Sequence, residues 1–236
     1  MRKYYMMFVG LAISLLLLYV LSFPDKNLHF ITCDIGQGDA LLVTLGTNQI
    51  LIDGGPDKKV LPCLSKHMPF WDRKIDIVMV TNPDFDHFGG LVDVIRNYEV
   101  GVFLRPNKEG EADEWKILLH ELDQKKVKQM FVKSGQSIRY SDLHFDILHP
   151  PEGLDVNSVN EYSVVGTLFY GDFNVLLTGD IVPPESDDIA KFIGSVEVLK
   201  VPHHGSKNGL TQTMLEKSDP KIAVISCGRN NRYGHP

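Results

Sequence analysis

The sequence predicts an α/β domain of two sheets with helices packed outside, preceded by one long apolar segment. Three observations carry this. Short apolar or β-branched runs alternate with stretches of helical spacing along most of the chain. Tyr4 to Phe23 contains no charged residue and matches the roughly 20 residues of a bilayer-spanning helix. Residues with ligand-type side chains follow directly after strand-like runs, where a rigid sheet can hold binding groups at its rim. Two sheets flanked by helices satisfy this order. Periodicity alone is equally compatible with other α/β layouts.

The apolar segment lies at the N-terminus. Arg2 and Lys3 flank its start, and the excess of cations on the inner side of membranes places that end in the cytoplasm. The rest of the chain then lies outside the cell membrane. The run is long and no small-residue cleavage site follows, which favours a single-pass anchor over a cleaved signal peptide. Residues 1–23 are therefore expected as the anchor, 24–27 as a polar linker and 28–236 as the folded domain. The remaining length, roughly 200 residues, can bury a sizeable core.

Within the domain, Leu28 to Ile35 alternates as a strand does. Ala40 to Leu45 and Gln49 to Ile52 flank Gly46-Thr47-Asn48 as a hairpin, and Asp53-Gly54-Gly55-Pro56 ends it in a glycine turn. Ile75 to Val80 is a short apolar run of the kind buried on both faces. A loop, Thr81 to Gly90, leads to a helix-like segment from Leu91. Val100 to Leu104 is a further strand. Trp115, Leu118, Leu119 and Leu122 give Ala112 to Lys126 helical spacing. Ser137 to Leu148 and Val164 to Leu177 read as two hairpins. Val196 to Val201 is a strand, Leu210 to Lys217 a short helix and Ile222 to Ser226 a last strand.

Composition narrows the function classes. The net charge is −6, and setting aside Arg2 and Lys3 leaves −8 on the rest. The basic footprint of a non-specific nucleic-acid binder is lacking. Lys125, Lys126, Lys128 and Lys133 read as a solvated helix end. Cys33, Cys63 and Cys227 have no C-x-x-C spacing, and their odd number excludes a fully paired framework. They are expected to be buried free thiols.

Four clusters carry chemistry. Asn82, Asp84, Asp86 and His87 place four oxygen or nitrogen donors within six residues, a mixture suited to zinc, manganese or iron. The competing reading is a polar turn in which Asp84 or Asp86 caps the next helix. Asp180 ends an apolar run, as a turn residue or a ligand. His203 and His204 follow Val196 to Val201, where one imidazole can face a site and the other support it. His235 lies in the C-terminal tail, where a histidine is ordinarily solvated. The segments Asp34 to Asp39 and Asp53 to Gly55 read as tight turns, without the spacing of a phosphate-binding loop.

These clusters, in this order, resemble the metallo-β-lactamase superfamily. The wording is closest to the C-terminal domain of ComEC-type DNA-uptake proteins. The resemblance rests on DIGQGDA (Asp34 to Ala40), LIDGG (Leu51 to Gly55), TNPDFDHFGG (Thr81 to Gly90) and NEYSV (Asn160 to Val164). It continues through LLTGD (Leu176 to Asp180), VPHHGS (Val201 to Ser206) and ISCGRNNRYGHP (Ile225 to Pro236). It implies a four-layer αββα sandwich with the site at one edge between the sheets, and hydrolysis with one or two divalent metals, zinc first and manganese second.

Carried over by position, the resemblance implies Asn82, Asp84, Asp86, His87, Asp180, His203 and His235 as metal ligands, with Asp180 bridging. Asp86 and His204 are implied as catalytic groups, and either adjacent histidine can ligate. Two departures stand out. Asn82 and Asp84 occupy the places of two histidines in the superfamily's H-x-H-x-D-H, and an amide oxygen is a weaker ligand than imidazole. The branch also continues past the position of Pro236, so a shortened domain is expected, and its channel helices are replaced by one span.

The expected function is a membrane-anchored, extracytoplasmic hydrolase that uses metal-activated water on a phosphodiester, with single-stranded DNA as one substrate. The first alternative is a non-catalytic descendant with a degenerate metal site that binds a ligand or partner. The second is a hydrolase of a small ester or lactone.

Overall fold

The computed structural model describes residues 2–156 and 158–236. The N-terminal segment forms α1 (Arg2–Leu21), a helix long and apolar enough to cross a membrane, with no residue buried. Its end touches the domain through aromatic side chains. Trp71 Nε1 donates to Ser22 Oγ at 2.8 Å, and the Trp71 ring lies 5.0 Å from Phe23 and 6.0 Å from Tyr19.

The domain is built from two six-stranded sheets. The first contains β1 (Leu28–Thr32), β2 (Leu41–Leu45), β3 (Asn48–Ile52), β4 (Lys74–Met79), β5 (Glu99–Arg105) and β6 (Lys128–Phe131), side by side in chain order. β2 is antiparallel to β1 and β3, while β3 through β6 are parallel. Five of the six strands thus share one direction, and their C-terminal ends share one rim. The second sheet contains β7 (Ser137–Tyr140), β8 (Leu143–His149), β9 (Val165–Tyr170), β10 (Phe173–Leu177), β11 (Val198–Lys200) and β12 (Ile222–Val224). β10, β11 and β12 are parallel.

Three cores glue four layers together. Leu41, Val43, Ile52, Met79, Phe145 and Val175 belong to the seam between the sheets. Outside the first sheet pack α2 (Val60–His67), α4 (Leu91–Asn97) and α5 (Asp113–Gln124). Outside the second pack α6 (Glu185–Ala190) and α7 (Gln212–Ser218), through Ile189, Met214 and Leu199. α3 (Phe85–Phe88) is a single turn joining β4 to α4. The αββα sandwich is as expected. β2, β3 and β4 are buried on both faces because one side meets the helices and the other the second sheet.

Two expectations are corrected. Cys33 and Cys63 form a disulfide, with Cα atoms 5.7 Å apart, and Cys227 is the free thiol. An odd count forbids pairing all three cysteines but not two. The cationic stretch is not one helix end: Lys125 caps α5, whereas Lys128 begins the edge strand β6.

Candidate metal centre

Loops leaving both sheets converge at the common rim. From the first sheet come the loop before β2 with Asp39, the end of β3 with Asp53, and the segment after β4 with Thr81 to His87. From the second come Asp180 after β10, the pair His203-His204 after β11 and Ser226 after β12. Backbone hydrogen bonds knit the first group: Gly54 N donates to His87 O at 2.7 Å, and Asp39 N to Asp86 O at 3.2 Å. Gly38 has a φ of +115°, and a Cβ there would overlap the Asp86 carbonyl, so glycine is required for this approach. A backbone bond also joins the two sheets' segments, from Val164 N to Thr81 O at 2.7 Å.

Four side chains face one another at the centre. His87 Nε2 lies 3.1 Å from Asp180 Oδ2 and 3.9 Å from Asp86 Oδ1. His204 Nε2 lies 3.3 Å from Asp180 Oδ2 and 3.2 Å from Asp86 Oδ2. His87, Asp180 and His204 are buried, while Asp86 is partly open to solvent.

The imidazoles are held from behind. His87 Nδ1 is 3.0 Å from Asp53 Oδ2. Asp53 is itself fixed by the amide and hydroxyl of Thr81, at 2.7 and 2.6 Å. His204 Nδ1 donates to the Ser226 carbonyl at 3.0 Å. With each Nδ1 committed, the Nε2 atoms point at the centre, and neither has a hydrogen-bond partner; nor does Asp180 Oδ1. Orphaned buried polar atoms of this kind call for an ion. Ligands about 2.0–2.1 Å from a tetrahedral ion stand ~3.3 Å apart. The separations of 3.1, 3.2 and 3.3 Å match that spacing. The donor set and its hydrogen-bonded supports therefore fit one divalent cation.

The electrostatics agree. Burial opposes a charge on His204, but the nearby carboxylates of Asp180, Asp39 and Asp86 outweigh it and push the imidazole up to about 11. Burial also disfavours charge on His87, yet Asp180 and Asp53 hold its pKa well above the ordinary value. Burial would raise Asp180, but the two imidazoles keep it well below the usual carboxylate range. Asp53 is raised, because burial exceeds the help from His87. The field that keeps protons on these imidazoles also attracts a metal cation.

The other expected residues are placed differently. Asn82 is buried, but its amide donates to Asn160 Oδ1 at 2.7 Å and its oxygen accepts from Asp84 N at 3.1 Å. Asp84 is exposed and caps α3, accepting from Phe85 N at 2.8 Å. Asp84 thus caps α3 and also lines the cavity beside Asp86 and Asp180, whereas the Asn82 amide is turned to Asn160. His203 and His204 both adopt left-handed backbone, φ 49° and 53°, a conformation that costs about 1–3 kcal/mol at such a residue. This double turn sends His204 inward. His203 instead stands beside His235, ring centroids 5.9 Å apart, on the wall of a cavity of about 210 Å³ that opens onto Asp86 and Asp180. The tail histidine is thus tied to the body, with its ring stacked 5.5 Å from Tyr233.

Three residues at the centre escaped the sequence reading. Asp39 and Asp53 looked like turn residues, and Lys200 lay hidden in an apolar run. Lys200 is fully buried, and its ammonium meets Asp39 Oδ2 at 2.6 Å. Asp39 Oδ1 in turn lies 3.6 Å from His204 Nδ1. The available signal for Asp53 was an aspartate directly after an unbroken apolar strand, a place where burial is forced.

Comparison with known proteins agrees with this architecture. The metallo-beta-lactamase superfamily profile matches residues 33–229. ComE operon protein 3 of Bacillus subtilis is 29% identical over 223 residues, covering 86% of this chain and 29% of that protein. Recombination protein 2 of Haemophilus influenzae is 28% identical over 234 residues, covering 96% of this chain and 27% of that protein. The chain therefore spans under a third of the length of these relatives. Among solved structures, the metallo-beta-lactamase fold protein YhfI from Bacillus subtilis superposes with a TM-score of 0.61 at 12% identity, covering 87% of this chain and 89% of that one. CmlA, a diiron beta-hydroxylase from Streptomyces venezuelae, gives a TM-score of 0.57 at 14% identity, with 86% and 45% covered. At these identities the two structures speak to the fold alone.

Proposed function

The chain belongs to the metallo-β-lactamase superfamily, and on that premise we propose that it is a membrane-anchored hydrolase of phosphodiesters with one divalent metal. The observation that carries the proposal is the pair of unpartnered Nε2 atoms, from His87 and His204, meeting Asp180 at 3.1 and 3.3 Å. Asp86, His87, Asp180 and His204 would hold the ion. When bound, it supplies a water of lowered pKa and a positive charge for the developing oxyanion.

The chain's own residues supply the rest. Asp86 is the most exposed of the four on the open cavity, where it orients the water and takes its proton. His203 and His235 line the same wall, each with an uncommitted Nδ1. They are positioned to give a proton to the leaving oxygen. Asp53, through Nδ1 of His87, fixes the ring that faces the ion. The similarity to ComE operon protein 3 and Recombination protein 2 supports a nucleic-acid phosphodiester, with single-stranded DNA as the first substrate to try. The helix α1 and the Cys33–Cys63 disulfide support an extracytoplasmic location, since disulfides persist in oxidising compartments.

The test is metal content together with hydrolysis. Purified protein is expected to carry about one equivalent of zinc or manganese and to cleave bis(p-nitrophenyl) phosphate and single-stranded DNA. Loss of both in Asp180→Asn supports the reading. A chain that binds the metal tightly yet cleaves neither substrate sinks it. One observation favours a second reading, a non-catalytic binding domain: the amide of Asn82 is spent on Asn160 and Asp84 rather than on the site. That reading predicts metal without turnover.

A further inference from the structure

The directions of the strands relate the site to the membrane segment. α1 ends at Leu21, and β1 begins at Leu28. The end of the helix is held against one rim of the first sheet. Trp71, three residues before β4, bonds Ser22 and packs on Tyr19 and Phe23. The turn between β2 and β3 lies at the same rim, where Gly46 faces the Asp25 carbonyl. This is the N-terminal rim of β1, β3, β4 and β5. Asp39, Asp53 and His87 all lie at the opposite, C-terminal rim. β4 spans six residues between Lys74 and Met79, about 20 Å at ~3.3 Å per residue.

The helix-side rim also carries a large apolar side chain without protein cover. Phe70 is 75% exposed and adjoins Trp71. Tyr19, Phe23 and Trp71 pack as an aromatic collar where the apolar helix meets the domain, and Phe70 directly precedes Trp71 in the chain. Tyr and Trp concentrate where hydrocarbon gives way to headgroups, because their rings are apolar and their N–H or O–H groups need water. The continuity of this collar with the helix identifies its occupant as lipid.

We propose that Phe70 and Trp71 dock into the headgroup layer beside the end of α1, so that the metal centre opens away from the bilayer. The domain then stands on the membrane by its β1–β5 rim, with the strands as spacers. Its substrate is a water-soluble molecule arriving from the aqueous side, not a lipid headgroup. The inference rests on reading α1 as a membrane span, and it is independent of the chemistry of the site.

The full chain is reconstituted in phosphatidylcholine–phosphatidylglycerol vesicles whose acyl chains are brominated near the glycerol. The sequence has two tryptophans, and Trp115 packs near Arg105 at the far rim. Wild-type protein is expected to lose roughly half its emission by contact of Trp71 with the bilayer interface, and Trp71→Phe to lose almost none. Equal loss in the two proteins overturns the docking. A fluorophore on Lys207→Cys, in a Cys227→Ser background, is expected to be quenched by aqueous iodide and not by a headgroup-linked quencher. Quenching by the latter overturns the orientation. An alkaline carbonate wash separates the causes. Protein washed off the vesicles refutes the span and the docking with it, whereas retained protein with unquenched Trp71 refutes the docking alone.

Discussion

Lys200 and Asp39 form an ion pair of 2.6 Å in which both side chains are shut off from solvent. The pair lies directly behind His204, whose Nδ1 is 3.6 Å from the other oxygen of Asp39. A lysine ammonium at such depth is held by its partner, by the Val201 carbonyl at 2.9 Å, and by little else. It balances one carboxylate of an acidic centre without occupying a ligand position. Removing one partner of a buried pair strands the other charge. Lys200→Met is expected to lower the unfolding free energy by about 3–5 kcal/mol. Lys200→Met combined with Asp39→Asn should recover more than half of that in urea titrations. A surface-like loss of under about 1 kcal/mol would contradict the role.

The metal centre makes a prediction about stoichiometry. Wild-type protein should bind one ion, because the Asn82 amide is engaged elsewhere. His204→Ala and Asp180→Asn should each weaken binding at least about 100-fold, as loss of a ligand exceeds the 10–100-fold expected for a supporting residue. Asp53→Asn should fall in that supporting range. Elemental analysis and competition with a chromogenic chelator check all three. Asn82→His should add a second, weaker equivalent.

Acid and base should act in opposite senses on the loaded and stripped protein. The His204 pKa is raised to about 11 in the metal-free fold, against ~6.5 in an unfolded chain. A raised pKa stabilises fully below the unfolded value and is lost as pH climbs toward the folded one. His87 is shifted in the same sense. Metal-stripped protein should therefore melt at a lower temperature at pH 9 than at pH 6. Asp180 and Asp39 are lowered instead, so their contribution is lost only in acid, below the usual carboxylate range. Loaded protein should show the reverse trend between these pH values, because protons compete with metal for the imidazoles. Calorimetry with and without chelator reads the crossover. His204→Gln should flatten the slope of the stripped form.

The disulfide gives a chemical count. Under native conditions one thiol, Cys227, should react with maleimide, and three should react after reduction and unfolding. The bridge spans a separation of 30 residues, and closing such a loop in the unfolded chain is worth about 3–4 kcal/mol. Cys33→Ser with Cys63→Ser should lower stability by that order in denaturant melts. Three reactive thiols in the unreduced protein would exclude the bridge.

The parts legible in the sequence were those where one local signal sufficed. Ile75 to Val80 reads as a buried strand because apolar residues crowd it. Gly46-Thr47-Asn48 reads as a turn, and Trp115, Leu118 and Leu122 mark one face of α5. The ligand types of Asp86, His87, Asp180 and His204 were visible from their places after strands. What escaped depends on long-range approach. Asp39 becomes a centre residue only because Gly38 lets its loop press against Asp86. Lys200 meets its charge partner across 161 positions of chain, and nothing nearby marks it. Cys33 and Cys63 meet because β1 and α2 pack together. The roles of His203 and His204 were interchangeable in sequence, and only the paired left-handed backbone sends one inward and the other to the cavity wall. α2 escaped because Pro62 interrupts its helical pattern, and α6 because its 6 residues offer too little periodicity.

The inner cluster is divided evenly between the sheets, Asp86 and His87 from the first and Asp180 and His204 from the second. Neither half of the chain contains the four-residue cluster. A nascent chain that has folded only its first sheet presents two of the four donors of this cluster, and so does an isolated second sheet. The centre comes into being in the single event that closes the seam between them. Metal capture would thereby report completed assembly, and a misdocked sandwich, however well its separate sheets have formed, lacks the four-residue cluster.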